Sequence, residues 1–448
     1  MDATFQNLMD RIDRLPVARF HFRVLVIAAL SLFFDTLDTV VTGFILATLR
    51  TEWGIDPFAI GVISAIGLFG YLVGSACSGF IADHYGRKRA ILYTLILYSL
   101  FSASRGLATG PVMFAALNFF TWVFVGAESS IVPPYLAELW PSRVRGKLNG
   151  WMMAFFALGL AAAPLYALVF IPMLGWRWAL LITAPFAILG GFMRSGLPES
   201  PRWLLTRGKA AEAEAVVVGI EKTIRESTGT DLPPVVATVA PVALVTATLR
   251  DLLQPRFRKT TIMLWCAWFA QYGVLYTFLT VLPTVLALEG YPIVKSFQFT
   301  LVIFFAFVPA YIFGGYLIEW IDRKYAALVA YACVALFGTL FGFASEPTTL
   351  MIFGALTAFS LGIGATFIYT YTPELYPTEI RASGMGIASA WGRVGGILLL
   401  LAFGLFAIVQ GKLALFLISD AMLAVAFVAV LVYGPSTRGK TLEQTSQG

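Results

Sequence analysis

Five ionisable side chains stand inside otherwise apolar stretches of this 448-residue chain: Asp35, Asp38, Glu128, Arg393 and Asp420. A charge in such surroundings is costly unless it meets water, a partner or a ligand, so these are the residues whose presence calls for chemistry. Asp35 and Asp38 are three residues apart and share one helix face. They sit roughly 20 Å in from the end of their helix nearest the N-terminus, at the helical rise of about 1.5 Å per residue. Two carboxylates this close repel when both are ionised, so one tends to keep a proton. A site that takes up and releases a proton inside an apolar span is what proton coupling requires. The plainer alternative is a hydrogen-bonded clamp between helices. Glu128, about 15 Å deep on the same rise, is either a proton relay or the partner of a buried cation.

Arg393 lies in Trp391-Gly392-Arg393-Val394-Gly395-Gly396, about 13 Å into its span. Guanidinium keeps its charge in an apolar setting and grips a carboxylate with two parallel hydrogen bonds. Two readings follow: a site for an anionic substrate, or an internal salt bridge to Glu128 or Asp35. Trp268, Gln271, Tyr272 and Tyr276 recur within about two helical turns. With Tyr369 and Trp391 they could hold an aromatic ring near Arg393, against the alternative of ordinary packing. Asp420 reads as structural.

The elements that must position these groups follow from composition. Hydrophobic residues make up 59% of the chain and charged residues 12%, about half the charge of a soluble protein. Apolar runs long enough to cross a bilayer occur at 22–49, 58–82, 89–107, 112–137, 148–171, 176–196, 259–288, 296–320, 325–344, 348–372, 384–409 and 413–433. Lipid offers no partner for free backbone groups, so helices are expected, and the runs are too long for barrel strands. The fold class is thus all-α, a polytopic membrane protein. Most of the 31 Lys and Arg fall on the side holding both termini, with Arg50, Arg105, Arg177, Lys295 and Lys412 opposite. The positive-inside rule then places both termini in the cytoplasm. Nucleic acid is a poor partner for this charge pattern. Residues 1–21 are polar and do not read as a cleavable leader. Cys77, Cys266 and Cys333 lie in apolar runs without metal or disulfide spacing. No nucleophile–base pair, metal set or phosphate loop is present, so neither an enzyme nor a bound cofactor is expected.

One spacing recurs. Gly79, Asp83, Arg87 and Lys88 return 236 residues later as Gly315, Glu319, Arg323 and Lys324, and Tyr135, Glu138, Pro141 and Arg145 as Tyr371, Glu374, Pro377 and Arg381. The chain is therefore two copies of one membrane unit. The expected organisation is a six-helix bundle at 1–196, a partly helical cytoplasmic linker at 197–258 broken by Pro233, Pro234 and Pro241, a second bundle at 259–434, and a cytoplasmic tail at 435–448. The repeated acidic and basic residues, Asp83, Arg87, Glu138 and Arg145 with Glu319, Arg323, Glu374 and Arg381, read as gate latches on the cytoplasmic side. Pairing of Glu138 with Arg145 and of Glu319 with Arg323 is expected.

The loop Gly79-Phe-Ile-Ala-Asp83-His-Tyr-Gly86-Arg87-Lys88-Arg89 resembles the signature of the major facilitator superfamily, with His84 where that family usually has a basic residue. Glu138-Leu-Trp-Pro141-Ser-Arg-Val-Arg145-Gly146, Pro198-Glu199-Ser200-Pro201-Arg202-Trp203-Leu204 and Arg438-Gly439-Lys440-Thr441-Leu442-Glu443 resemble motifs of its sugar porters and organic-ion transporters. The segment Phe34-Asp35-Thr-Leu-Asp38-Thr-Val-Val-Thr-Gly43-Phe44 looks like the first helix of niacin and aromatic-acid proton symporters, and the run around Arg393 like helix eleven of organic-anion transporters. The resemblance implies two six-helix bundles around a midplane cavity and alternating access. It further implies a small organic anion, such as nicotinate or hydroxybenzoate, carried with protons. A sugar or polyol porter, an exporter of organic cations and a non-transporting sensor are the alternatives. Arg393 would hold the carboxylate, Trp268, Gln271, Tyr272, Tyr276, Tyr369 and Trp391 the ring, and Asp35, Asp38 or Glu128 the proton. Expected partners are substrate, protons and membrane lipid. The expected working unit is a monomer in a bacterial inner membrane.

Overall fold

The computed structural model describes residues 3–141, 144–183, 194, 196–235, 252–376 and 378–437; the side chains at 3–4, 145–150, 153, 318–319, 378–379, 382 and 407–412 lie outside that description. Its elements are α1 (Ala3–Asp13), α2 (Arg19–Glu52), α3 (Pro57–Tyr85), α4 (Arg87–Ser104), α5 (Pro111–Leu139), α6 (Arg145–Leu181), α7 (Pro201–Thr206), α8 (Ala210–Thr228), α9 (Arg258–Leu288), α10 (Ile293–Phe305), α11 (Phe307–Trp320), α12 (Arg323–Phe343), α13 (Pro347–Glu374) and α14 (Thr378–Tyr433). Eleven helical segments among the described residues are long and apolar enough to cross a membrane. Two lie in α14, at Ser383–Phe406 and Leu413–Tyr433. The expected break between the fifth and sixth spans falls inside α6, at Gly175 with φ 80°. Most of the expected sixth span, 184–193 and 195, lies outside the described residues, as do linker residues 236–251 and the tail motif from Arg438. Large apolar side chains such as Phe80, Tyr316 and Trp320 are exposed on the flanks, as a lipid-facing surface requires.

Local chemistry sets the turns. Asp56 caps α3 by accepting from the Ala59 amide at 2.7 Å, with Pro57 in the first turn. Gly86, at φ 94°, reverses the chain between α3 and α4 in a single residue. Gly54 and Gly290, at φ 62° and 88°, occupy matching turns in the two halves. Helices then pack closely through small residues: a Cβ on Gly126 of α5 would collide with the Tyr71 backbone of α3, and one on Gly395 of α14 with the Phe269 backbone of α9.

The two halves meet at the end of the bundle away from the termini. There Gly43 approaches the Thr280 backbone, Gly61 approaches that of Leu400, and Phe44 packs edge-on against Phe297 at 4.6 Å. The innermost contacts between halves are Phe156 with Tyr311 at 5.8 Å and Tyr71 with Arg393. At the terminus-bearing end, the ion pairs among the described residues stay within one half, stay within the linker, or join α1 to α8.

That α1 docking is specific. Leu8 and Ile12 pack on Leu204, Ala213 and Val217. Arg11 grips Glu221 with two bonds of 3.1 and 2.6 Å, and Arg14 adds a third at 2.7 Å. Burial pushes the Glu221 carboxyl up, but the bonds from Arg11 and Arg14 outweigh it and hold the group below its ordinary value of 4.5. A carboxyl depressed in the docked state stabilises docking fully above its free value, and that contribution is lost as pH falls through the docked value. A spin label at Asn7→Cys in a cysteine-free background should be immobile at neutral pH and released as the pH falls through the lowered docked value of Glu221. Arg11→Ala should release it at neutral pH. A label equally immobile in all three states would show that the apolar contact alone holds α1.

Candidate functional site

Arg393 is buried where α14 faces α3. One guanidinium nitrogen donates to the Ser389 carbonyl at 2.7 Å and its hydroxyl at 2.5 Å; the other donates to the Tyr71 hydroxyl at 2.9 Å. The guanidinium carbon lies 4.3 Å from the centre of the Tyr71 ring, a cation–π contact across the two halves. No carboxylate pairs with Arg393 among the described residues, and its Nε has no hydrogen-bond partner there. Rings continue this wall. Tyr272 stacks on Trp268 at 4.7 Å and lies 5.9 Å from Tyr276 and 5.8 Å from Tyr369. Helix spacing explains the grouping: Trp268, Tyr272 and Tyr276 are four apart and project from one face of α9.

Two residues placed with this group by sequence stand apart from it. Gln271 is fully buried and donates to the Leu361 carbonyl at 2.9 Å, packed where Gly364 leaves room. It ties α9 to α13. Trp391 is exposed and stacks on Trp265 at 5.3 Å, turned away from Arg393 because it lies two residues along the same helix.

The acidic residues separate into two clusters. Asp38 pairs with Arg105 at 2.5 Å, and Ser102, Thr42 and Asn118 supply further bonds. Arg105 was expected in the loop opposite the termini; it is fully buried, because Asp38 draws it inward. Glu128 pairs with Arg194 at 2.6 Å rather than with Arg393, and Arg194 also donates to the Ile91 carbonyl at 3.0 Å. Arg194, near the end of the expected sixth span, is likewise buried. Asp35 lies beside Glu128, Arg194 and Asp38. Both of its carboxylate oxygens are buried without a hydrogen-bond partner. Asp420 accepts from Thr339 between α14 and α12.

At the terminus-bearing end the repeat is visible as chemistry. Arg87 bonds Asp83 at 2.5 Å and approaches Glu138 at 3.8 Å; in the second half Arg323 approaches Glu374 at 3.3 Å. The expected pairs of Glu138 with Arg145 and Glu319 with Arg323 involve side chains outside the described residues. Arg381 donates to its neighbour, the Tyr376 carbonyl, at 3.2 Å. Tyr135 donates to the Pro198 carbonyl at 2.8 Å and Tyr371 to that of Pro435 at 2.6 Å. These bonds brace each half internally.

Residues 24–448 match the sugar (and other) transporter family. The chain belongs to this family of major facilitator transporters. It is 34% identical to the niacin transporter NiaP of Acinetobacter baylyi over 98% of this chain and 99% of that one. It is 28% identical to the benzoate transport protein of the same species, over 88% and 84%. Among solved structures, a partially occluded inward-open form of the xylose transporter XylE from E. coli superposes with a TM-score of 0.73, at 18% identity, over 94% of this chain and 99% of that one. That likeness shows the twelve-helix major facilitator fold. The protein is thus an integral membrane transporter of metabolites.

Three polar residues of this transporter escaped the sequence reading: Tyr71, Arg105 and Arg194. Arg105 and Arg194 sit at the ends of apolar runs, where a basic residue is ordinarily a topology signal. The signal available was the acid count: three carboxylates lie deep in the spans of the first bundle while its cations fall at span ends, so some of those cations must be drawn inward. The Asp38–Arg105 pair can be tested as a structural pin. Breaking a buried pair leaves an uncompensated charge and costs about 3–5 kcal/mol. Arg105→Leu should therefore markedly lower the apparent Tm in detergent, and Asp38→Asn with Arg105→Leu should regain part of the loss. A double variant no more stable than the single one would sink this role.

Proposed function

We propose that this transporter carries a small aromatic carboxylate together with protons across a bacterial cytoplasmic membrane, working as a monomer with both termini inside. The observation that carries the reading is Arg393: a buried guanidinium at the seam between the halves, without a carboxylate among the described residues, facing tyrosine rings. A carboxylate supplied by the substrate would complete that charge, and the rings of Tyr272, Tyr276 and Tyr369 would flank a planar aromatic body. The relatives named for niacin and benzoate support the same class. One chain supplies both sides of the seam, which supports a monomer.

Charge balance supports Asp35 as the proton carrier. Asp38 has Arg105 and Glu128 has Arg194, each at salt-bridge distance. Asp35 is the buried acid of this group whose oxygens have no hydrogen-bond partner among the described residues. An ionised carboxylate there would be a buried unpaired charge, whereas a protonated one leaves the cluster neutral. Asp38 on the same helix, Glu128 on α5, Arg194 beyond α6, Arg105 at the end of α4 and Tyr98 of α4, which donates to the Phe34 carbonyl at 3.2 Å, are the ionisable groups around it. The bias of Lys and Arg toward the terminus-bearing side supports the orientation.

Purified protein in liposomes tests both parts. A proton gradient should drive accumulation of radiolabelled nicotinate or benzoate. Arg393→Gln should cut binding of both at least tenfold, the loss of about 1.4 kcal/mol or more expected for a charge-assisted contact. Asp35→Asn should abolish gradient-driven accumulation yet keep exchange of labelled for unlabelled substrate. Accumulation unaffected by Asp35→Asn would remove Asp35 from coupling. Carboxylate binding unaffected by Arg393→Gln would remove the anion site.

A further inference from the structure

Arg393 has two competing uses. Among the described residues, Tyr71 is the side chain from the first half that hydrogen-bonds it, across 322 positions of sequence. Tyr71 is buried, and its hydroxyl also hydrogen-bonds Ser129 of α5, so the phenol is held in place from its own half. The Arg393 nitrogen bonded to Ser389 is already committed to its own helix, at 2.7 and 2.5 Å. A carboxylate gripped side-on by guanidinium would use the free Nε and the nitrogen now bonded to Tyr71. That nitrogen carries a second hydrogen, so the phenol is not barred outright, but a carboxylate drawing on the same nitrogen competes with it for the guanidinium charge. The contact stands at the inner limit of the closed seam, with Leu68 against Gly396 and Gly61 against the Leu400 backbone farther along the same helix pair.

We infer that the Tyr71–Arg393 contact is a load-sensitive tie between the halves. It biases the empty carrier toward the shut seam, and the substrate carboxylate weakens that bias by drawing on the same guanidinium. Tyr71 is in this account a positioning and coupling residue, competing with the substrate for one guanidinium nitrogen. The inference rests on the carboxylate reading of Arg393. It explains how the state of the midplane reaches the far seam through α3 and α14, since the hydrogen bond between them is strong or weakened according to what Arg393 holds.

The test uses Tyr71→Phe, which keeps the ring and removes the hydroxyl. Binding of benzoate and nicotinate is measured by thermal shift on the full-length protein. Loss of a competing hydrogen bond to a charged group should tighten both by about fivefold. Seam opening is read in liposomes by thiol labelling of Leu400→Cys with Cys77→Ala, Cys266→Ala and Cys333→Ala. With Tyr71 present, labelling should be slow without benzoate and several times faster with it. With Tyr71→Phe it should be fast in both conditions. Weaker benzoate binding in Tyr71→Phe would make the hydroxyl a substrate ligand and overturn the inference. So would unchanged binding and labelling. Benzoate-dependent labelling of Leu400→Cys in the presence of Tyr71 is a second measurement that does not depend on the Phe variant folding, and its absence would overturn the inference as well. If Arg393→Gln leaves carboxylate binding intact, the substrate reading itself fails. If Arg393→Gln abolishes binding while Tyr71→Phe changes nothing, the tie alone fails.

Discussion

A charge removed from water and lipid headgroups must find its counter-charge inside the protein, and much of this structure follows from where each one finds it. In the first half, Arg105 and Arg194 are each buried against a carboxylate. Each pair bridges helices that are far apart in sequence: α2 to the end of α4, and α5 to the stretch beyond α6. Such pairs contribute little net stability over an apolar core of the same shape, but losing one partner is severely destabilising. They therefore specify helix register more than they strengthen the fold. Arg393 of the second half is solved differently, by a phenol, a serine and the face of a ring. Those neutral groups screen the charge without cancelling it, which leaves an electrostatic demand that an anion can meet.

The repeat makes this asymmetry readable position by position. Asp35 and Glu128 correspond to Gln271 and Gly364, 236 residues on. In the second half the amide of Gln271 settles into the room left by Gly364 and bonds a backbone carbonyl, so that crossing is neutral and closed. Asp38 and Arg105 correspond to Val274 and Phe341, both buried apolar side chains. Conversely, Arg393 corresponds to the buried Ala157, and Tyr276 to Val40. Two copies of one scaffold have thus diverged in their interiors, one accumulating carboxylates and the other aromatic rings and a guanidinium. On the proposed reading, proton chemistry and substrate recognition occupy opposite halves, and the seam between them is where the two must be coupled.

The fold was largely legible because bilayer-length apolar runs and a repeated loop motif are strong, local signals. The bilayer-length spans, the break between 171 and 176 beside Gly175 and the repeated loop residues follow from residue type and spacing. The partners of the buried charges were not legible in the same way. Arg105 and Arg194 lie at the ends of spans, where a basic residue ordinarily faces water, and only three-dimensional packing shows that each is drawn inward by an acid. Gln271 and Trp391 illustrate the reverse limit. Helical spacing put them near the right depth, but a rotation of about 100° per residue separates neighbours on one helix, and the packed neighbours decide which face looks where.

The terminus-bearing end obeys a different economy of contacts. Arg87 with Glu138 and Arg323 with Glu374 repeat in each half, as do Tyr135 with the Pro198 carbonyl and Tyr371 with that of Pro435. None of these bonds joins one half to the other, so on the proposed reading each half keeps its own braces as it moves. α1 adds to this on one side only, strapping the linker helix to the first half through Arg11, Arg14 and Glu221. Rigid halves with internal bracing can rock only about the contacts they share. Among the described residues those contacts include the close-packed glycines and the Phe44–Phe297 ring pair of the far seam and, at its inner limit, Phe156 with Tyr311 and the bond from Arg393 to Tyr71. On the proposed reading such a carrier needs few adjustable parts, because a change in one hydrogen bond at the inner limit of the seam would alter the energy of the whole movement.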